Sequence, residues 1–449
     1  MTEPVTQVVN ILACRPADDE WSRFADRRLL EYSASIVDCP EVELGGLRDH
    51  LARDPEQTPH VVGLQHWRPQ AIVPTTERVG TKRIAAGYTV RGWTTMLLLM
   101  PHAGVVLVLS ATIAGTLEHW IQCLNDCYYR RALLRVEGDD RHGGLLAGLV
   151  ATLEPRVADS MGTLVLDQDA HQMLLFDDLA ALARPGRDEV DRQLLGAILY
   201  RGEPFRDTVA APRLPVDANR SLGTLVAIEE SITVIAGHAR HMVNGMLVSA
   251  AQLVCALARA RQIRRQVFLE LRTLRLLEDD HAATLHQRKE AVIRASVRFG
   301  DLETDLNFGA QASLDLGEIL PVAQIAGYHH ELIEVTRLDR HVTRATHFLD
   351  LLARSIGAVR EATNELARER ADRFSRNLAV IASIVVVPSL VAAFYGANVK
   401  GLPKADEDNG ATWLLGLMLA FTAVVALAVW LLWNRQVRSR TGRHRRASR

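Results

Sequence analysis

Gly396 and Asn398 stand where this chain places an uncharged hydrogen-bonding side chain between two long uncharged segments. Leu378–Phe394 and Trp413–Trp433 contain no Asp, Glu, Lys or Arg, and the two residues open the loop that joins them. An amide oxygen accepts hydrogen bonds without carrying charge. A ring of such oxygens can bind the water shell of a hard divalent cation without stripping it, since ions of this kind dehydrate reluctantly. Carboxylates in the same place would hold the ion more tightly and release it less readily. Glycine lets backbones approach closely. The same residue types also form an ordinary helix C-cap and turn, and the two readings are compatible.

A second group lies on the segment before the loop. Glu361, Glu365, Arg368, Asp372 and Ser375 recur at heptad steps, and the series continues through Ala379, Ala382, Val386, Ser389, Ala393 and Gly396. One helical face is thus ionisable at first and small or apolar afterwards. A water-filled axis with a narrow apolar gate needs such a face. Solvated surface followed by Ala and Ser helix packing gives the same pattern. On the pore reading, Asp372, Ser375, Ala382, Val386 and Ser389 line the axis. Two further sets could sense a metal ion: Asp279, Asp280 and His281, and the pair His330 and Glu334 one helical turn apart. Each also fits a solvated helix face.

These residues must be held by helices. At about 1.5 Å per residue, Trp413–Trp433 covers roughly 31 Å, one hydrocarbon core, and Leu378–Phe394 reaches that length with its flanks. Upstream, Val335, Leu338, Val342, Ala345, Leu349, Leu352, Ile356, Val359, Thr363 and Leu366 alternate at steps of three and four. That period marks a coiled-coil-like helix along a partner seam. No proline or run of glycines separates it from Leu378, so one helix from near residue 326 to 395 is predicted, about 100 Å long.

Tyr395-Gly396-Ala397-Asn398 at the end of LAVIASIVVVPSLVAAF resembles the CorA-type divalent-cation channels. Their first membrane helix reads like LTIIATIF-P-LTFIAG and ends in a YGMN signature. The resemblance covers roughly residues 326–435. It implies a homopentamer with its pore lined by the first membrane helix, Gly396 and Asn398 as entrance filter, and Mg²⁺ (or Co²⁺ or Zn²⁺) as the transported ion. No prosthetic group and no enzyme activity are expected. Two departures stand out: Ala397 replaces the usual methionine, and Lys400 stands where an acid is common. With Lys404 against Asp406, Glu407 and Asp408, the loop carries only −1 per chain, which weakens cation focusing. A non-conducting membrane scaffold or sensor of the same ancestry is the alternative.

The expected architecture is an α+β cytoplasmic domain, a long stalk helix and a two-helix C-terminal transmembrane hairpin, assembled as a funnel-shaped oligomer. Residues 1–240 form the mixed domain, with 1–60 saying little, and 241–325 its helical part. The stalk is 326–377, the membrane helices are 378–395 and 413–433, the extracytoplasmic loop is 396–412, and 434–449 is a basic tail. Four arginines (Arg368, Arg370, Arg373, Arg376) precede the hairpin, and Arg435, Arg438 and five more follow it. The positive-inside rule then puts both termini in the cytoplasm of a multi-pass protein of the inner (plasma) membrane. The first residues show no signal peptide.

Fifty-two basic residues against 53 acidic ones argue against a nucleic-acid partner, which needs a basic surplus. The arginine tail, directly after a membrane span, suits anionic lipid. Cys123 and Cys127 share a helical face but lack the second pair of a zinc site, so all five cysteines read as buried thiols. HGGLLAG at 142–148 lacks the lysine of a phosphate loop and reads as a helix start. Residues 93–117 read as two strands around a Pro-His-Ala-Gly turn, 114–130 as a helix, and 162–176 and 223–237 as strands. From about residue 240 the chain reads as helical, with a break at Asn307–Gly309.

Overall fold

A computed structural model describes residues 5–18, 24, 27–53, 58–69, 72–74, 88–101, 103–129, 134–136, 145–183, 190–202, 212–280, 283–314 and 320–396, with positions 412, 416, 419, 420, 423, 424 and 427 beyond them. The chain divides into two compact units. The first comprises Met1–Asp279 and Val292–Ile356, the second Asp280–Ala291 and Gly357–Arg449.

The first unit is built on an eight-stranded sheet. Its strands are β1 (Val5–Pro16), β2 (Ala34–Ser35), β3 (His60–Trp67), β5 (Thr89–Met100), β6 (Gly104–Ala114), β8 (Leu164–Phe176), β9 (Leu225–Glu229) and β10 (Ile232–Ala236). A separate pair joins β4 (Ile72–Pro74) to β7 (Leu134–Val136). The sheet order is β2-β3-β5-β6-β1-β8-β10-β9, antiparallel throughout except where β10 lies parallel to β8. The expected turn inside residues 93–117 is present: Met100 pairs with Gly104, and the Ala103 amide donates to the Met100 carbonyl at 3.1 Å. Gly104, at φ 135°, takes a backbone conformation that a side chain would resist. The run at 223–237 is two strands rather than one, because Glu229 and Glu230 fall at a tight reversal between β9 and β10.

Helices cover both faces, which explains why β6 reads as almost unbroken Val, Leu and Ile instead of alternating. On one side α3 (Leu117–Tyr129), α4 (Leu145–Val150) and α6 (Arg192–Leu199) pack Trp120, Leu149 and Ile198 against Leu107, Leu109 and Leu174. The Trp120 ring meets Phe176 edge-on at 4.9 Å. Short helices α1 (Arg27–Glu31), α2 (Leu47–Leu51) and α5 (Pro155–Met161) complete the periphery. On the other side α7 (Arg240–Asp279) lies across β1, β6 and β8. All five cysteines are free and buried, as expected, and burial pushes the Cys14 thiol up to about 12.

The predicted break at Asn307–Gly309 is a π turn, Leu306–Gln311, following α8 (Leu285–Asp305). The expected single helix from residue 326 is two. α9 (Ala323–Thr336) ends at Arg337, which adopts φ +56°, and α10 runs over 59 residues from Leu338 to Gly396. The break is invisible in the heptad pattern because no glycine or proline marks it. Its cause is packing: α9 buries Ile325, Tyr328, His329 and Leu332, a face turned toward α7, while α10 buries the predicted stripe from Leu338 to Thr363. In the first unit that stripe runs beside α7, where the Arg264 guanidinium sits 5.8 Å from the Phe348 ring centre.

Buried polar groups fasten these layers. Gln172 on β8 donates to the Leu124 carbonyl at 2.8 Å and accepts from Arg201 Nε at 2.7 Å. His171 Nε2 meets Thr233 Oγ1 at 2.7 Å, and that hydroxyl meets Tyr328 of α9 at 3.2 Å. His329 Nε2 lies 2.7 Å from the Ser313 carbonyl, which can only accept, so Nε2 carries the proton and Nδ1 accepts from Ser249 Oγ at 2.7 Å. That pattern holds His329 neutral, and burial opposes the charged form of both imidazoles. Burial lowers His171 from 6.5 to about 3 and His329 from 6.5 to about 4. The folded state then binds fewer protons than the unfolded chain below pH 6.5. Stability is full above that value and falls as pH drops toward 4. Urea unfolding followed at pH 7.5 and pH 5 should give the lower midpoint at pH 5, and His329→Gln should reduce the difference.

Candidate functional site

α10 changes surroundings along its length. From Leu338 to Thr363 its apolar stripe is buried; beyond Thr363 nearly every described position is exposed. The strip singled out by spacing lies in this exposed part. Asp372, Ser375, Ala382, Val386 and Ser389 are all exposed on the single chain, and Gly396 is the last helical residue. Glu369 and Arg373, one turn apart, pair at 3.2 Å on the solvated half, where such pairs add little.

Past Arg376 the exposed residues become aliphatic. Leu378, Ile381, Val386 and Leu390 are each more than half exposed, and Leu419, Val424 and Leu427 are likewise on a helical stretch beyond the loop. A helix apolar on an uncovered face needs an apolar neighbour, either another helix or hydrocarbon. Asn398, Ala397 and Lys400 fall outside the described residues, as does His281. Among the described residues one helix, α7, is long and apolar enough to cross a membrane by length and composition, and 78% of its apolar window is buried. That helix is the core of the first unit.

The two candidate sensing sets come out differently from their spacing. Asp279 is exposed at the end of α7, and Asp280, also exposed, accepts from Arg288 Nη2 through its carbonyl at 2.9 Å. His330 Nε2 does approach Glu334 Oε1, at 3.8 Å. The other Glu334 oxygen, however, holds Arg213 at 2.5 Å, and Arg213 also takes Glu331 at 2.9 Å. A guanidinium already sits where a cation would have to bind. Nothing in the spacing of residues 330–334 could announce it, because Arg213 comes from a segment more than a hundred residues upstream. Among the described residues no cluster of three or more His, Cys, Asp or Glu side chains is arranged to hold a metal ion.

Residues 324–435 match the family described as CorA-like Mg2+ transporter protein. The C-terminal part of the chain is thus similar to that family. The matched stretch begins at the first turn of α9, contains all of α10 and the exposed strip, and ends just after the second uncharged segment. Among solved structures the chain is similar to the complete structure of the CorA magnesium transporter from Methanocaldococcus jannaschii. Identity is 13%, the TM-score is 0.30, and the match covers 57% of this chain and 89% of that chain. No curated protein sequence matches the chain. Members of the CorA-like family are transporters rather than enzymes.

The Arg213 cluster is half-exposed, with side-chain exposures of 46% for Arg213 and 51% for Glu334. Arg213→Ala should therefore cost less than about 1 kcal/mol in a urea titration. A larger loss would mean that the cluster fastens the segment around Arg213 to α9.

Proposed function

We propose that the chain is a homopentameric divalent-cation channel, with Mg²⁺ as its principal ion and the exposed strip of α10 facing the axis. The observation that carries this reading is the CorA-like match over residues 324–435, which encloses both uncharged segments and the Gly396–Asn398 motif. The exposed strip supports it independently. Asp372 and Ser375 offer oxygens to a hydrated ion on the cytoplasmic half, while Ala382, Val386 and Ser389 present a narrow, mostly apolar lining inside the bilayer. Five copies around an axis would cover the aliphatic flanks of α10 with neighbouring helices and lipid.

Gly396 and Asn398 are proposed as the entrance ring. The amide oxygen of Asn398 would accept hydrogen bonds from the water shell of the ion, which selects for charge density without a tight carboxylate grip. Membrane potential alone can drive uptake. A divalent ion crossing 100 mV gains about 4.6 kcal/mol, so no nucleotide hydrolysis is required. The multi-pass arrangement in the inner (plasma) membrane, with cytoplasmic termini, rests on the arginine clusters on either side of the hairpin.

Flux into liposomes loaded with a divalent-sensitive dye tests the proposal. The wild-type chain should pass Mg²⁺, and Asn398→Ala should lower the rate by about tenfold or more, equivalent to about 1.4 kcal/mol, while the oligomer survives in native mass spectrometry. Unchanged flux in that variant removes Asn398 from the path. An intact wild-type oligomer that passes no Mg²⁺, Co²⁺ or Zn²⁺ would instead favour the scaffold or sensor reading, to which Ala397 and Lys400 point.

A further inference from the structure

The face of the sheet beneath α7 is not covered to its edge. Beside the first turns of α7 an open cavity of about 640 Å³ lies over five strands, a volume suited to a small organic molecule. Its floor follows from strand register. His66, Thr94, Ser110 and Val9 form one row across β3, β5, β6 and β1, and Thr112 faces Gln7 in the next row. On the other side of the polar row come Leu64, Met96 and Val108, closed by Leu247 of α7. Hydroxyl and amide groups thus give way to aliphatic ones within one pleat repeat, about 7 Å.

The walls carry charge. Glu41 and Glu43 stand on the segment before α2, Asp177 follows β8, and Arg240 begins α7. From β3 to β8 the floor spans four strand spacings, about 19 Å, so a small extended ligand occupies only part of it. Walls and floor are also tied in place. Asn244 Nδ2 donates to the Glu43 carbonyl at 3.0 Å, Gln7 Nε2 donates to Ser110 Oγ at 2.6 Å, and the Cys39 thiol donates to Glu41 Oε2 at 3.1 Å. That thiol contact favours the ionised carboxylate.

One local rule is broken at this site. Helix N-termini favour acidic residues, yet the 40-residue helix α7 begins with Arg240 and His241 and has no acid in its first turn. The base adds to the positive end of the helix instead of offsetting it. A departure of this kind beside a preformed cavity points to function. Among the described lining residues Arg240 is the one permanent cation, against three carboxylates.

We infer that this cavity binds a small organic zwitterion bearing a second positive group, the class of the basic amino acids. The α-carboxylate is taken by Arg240 at the start of α7, the aliphatic chain crosses Val9 and Val108, and the cationic end reaches Glu43 and Glu41. The site is separate from α10 and independent of the transport reading. It would let the concentration of a cytosolic amino acid bear on the first unit.

Isothermal titration of the full-length protein in detergent tests this with three probes: L-arginine, agmatine, which lacks the carboxylate, and L-citrulline, which lacks the side-chain charge. L-Arginine should bind, with the other two weaker by about tenfold or more. Arg240→Ala should bring L-arginine down to the affinity of agmatine and leave agmatine unchanged. Glu43→Gln should bring it down to that of citrulline. Arg240→Ala removes a base from a helix N-terminus, so its thermal midpoint should not fall, and lost binding cannot be put down to unfolding. No heat with L-arginine up to about 10 mM, equal affinity for all three probes, or two variants that bind like wild type would each overturn the assignment. None of these readouts involves ion flux, so the assignment can fail while the transport reading stands.

Discussion

A helix of 59 residues can hide only a stripe of itself, and much of this structure follows from where that stripe stops. Up to Thr363 the apolar positions of α10 are covered, with α7 beside them in the first unit. Beyond Thr363 a single chain leaves the helix bare, first with charged and then with aliphatic side chains. Leaving several leucine-sized side chains in water forgoes about 1.5–3 kcal/mol each. That deficit calls for an apolar neighbour along this stretch, and the CorA-like match falls on the same residues.

The first unit meets a different demand. Its sheet is covered on both faces except beside the first turns of α7, so buried polar groups need partners inside the protein. The chains Gln172–Arg201, His171–Thr233–Tyr328 and Ser249–His329–Ser313 supply such partners, and the last two also tie α9 to the sheet and to α7. Where α7 leaves the sheet uncovered, the floor changes to Thr94, Ser110 and Gln7 and the charged walls begin. Cavity and core are two outcomes of one geometry: a straight helix laid over a wider sheet.

Much of the architecture was legible in the residues. The strand pair around Pro101, helix α3, strand β8 and the heptad stripe from Leu338 to Thr363 follow directly from periodicity and turn chemistry. The interruption at Arg337 did not show, because a left-handed arginine carries no compositional mark and the apolar period runs through it. The engagement of Glu334 by Arg213 was hidden for another reason, since long-range pairing leaves no local trace. The cavity had a faint signal in the polar positions alternating along β6, Ser110 and Thr112. It could not be read until register placed Gln7, Thr94 and His66 beside them.

The position of β1 has a consequence for how the chain comes into being. First in chain order among the described strands, it lies between β6 and β8 and pairs with both along most of its length. The Thr6 hydroxyl finds its acceptor at Leu175, 169 residues later. The β6 partner of β1 arrives first, with Gly104–Ala114, and the second edge of Val5–Pro16 stays open until Leu164–Phe176 has been made. Such distant closure is slow and leaves strand edges open to wrong partners. The sheet becomes complete only once β9 and β10 have been made, and the uncharged C-terminal segments follow well after that. Order of synthesis thus separates the completion of the sheet from the appearance of the uncharged segments.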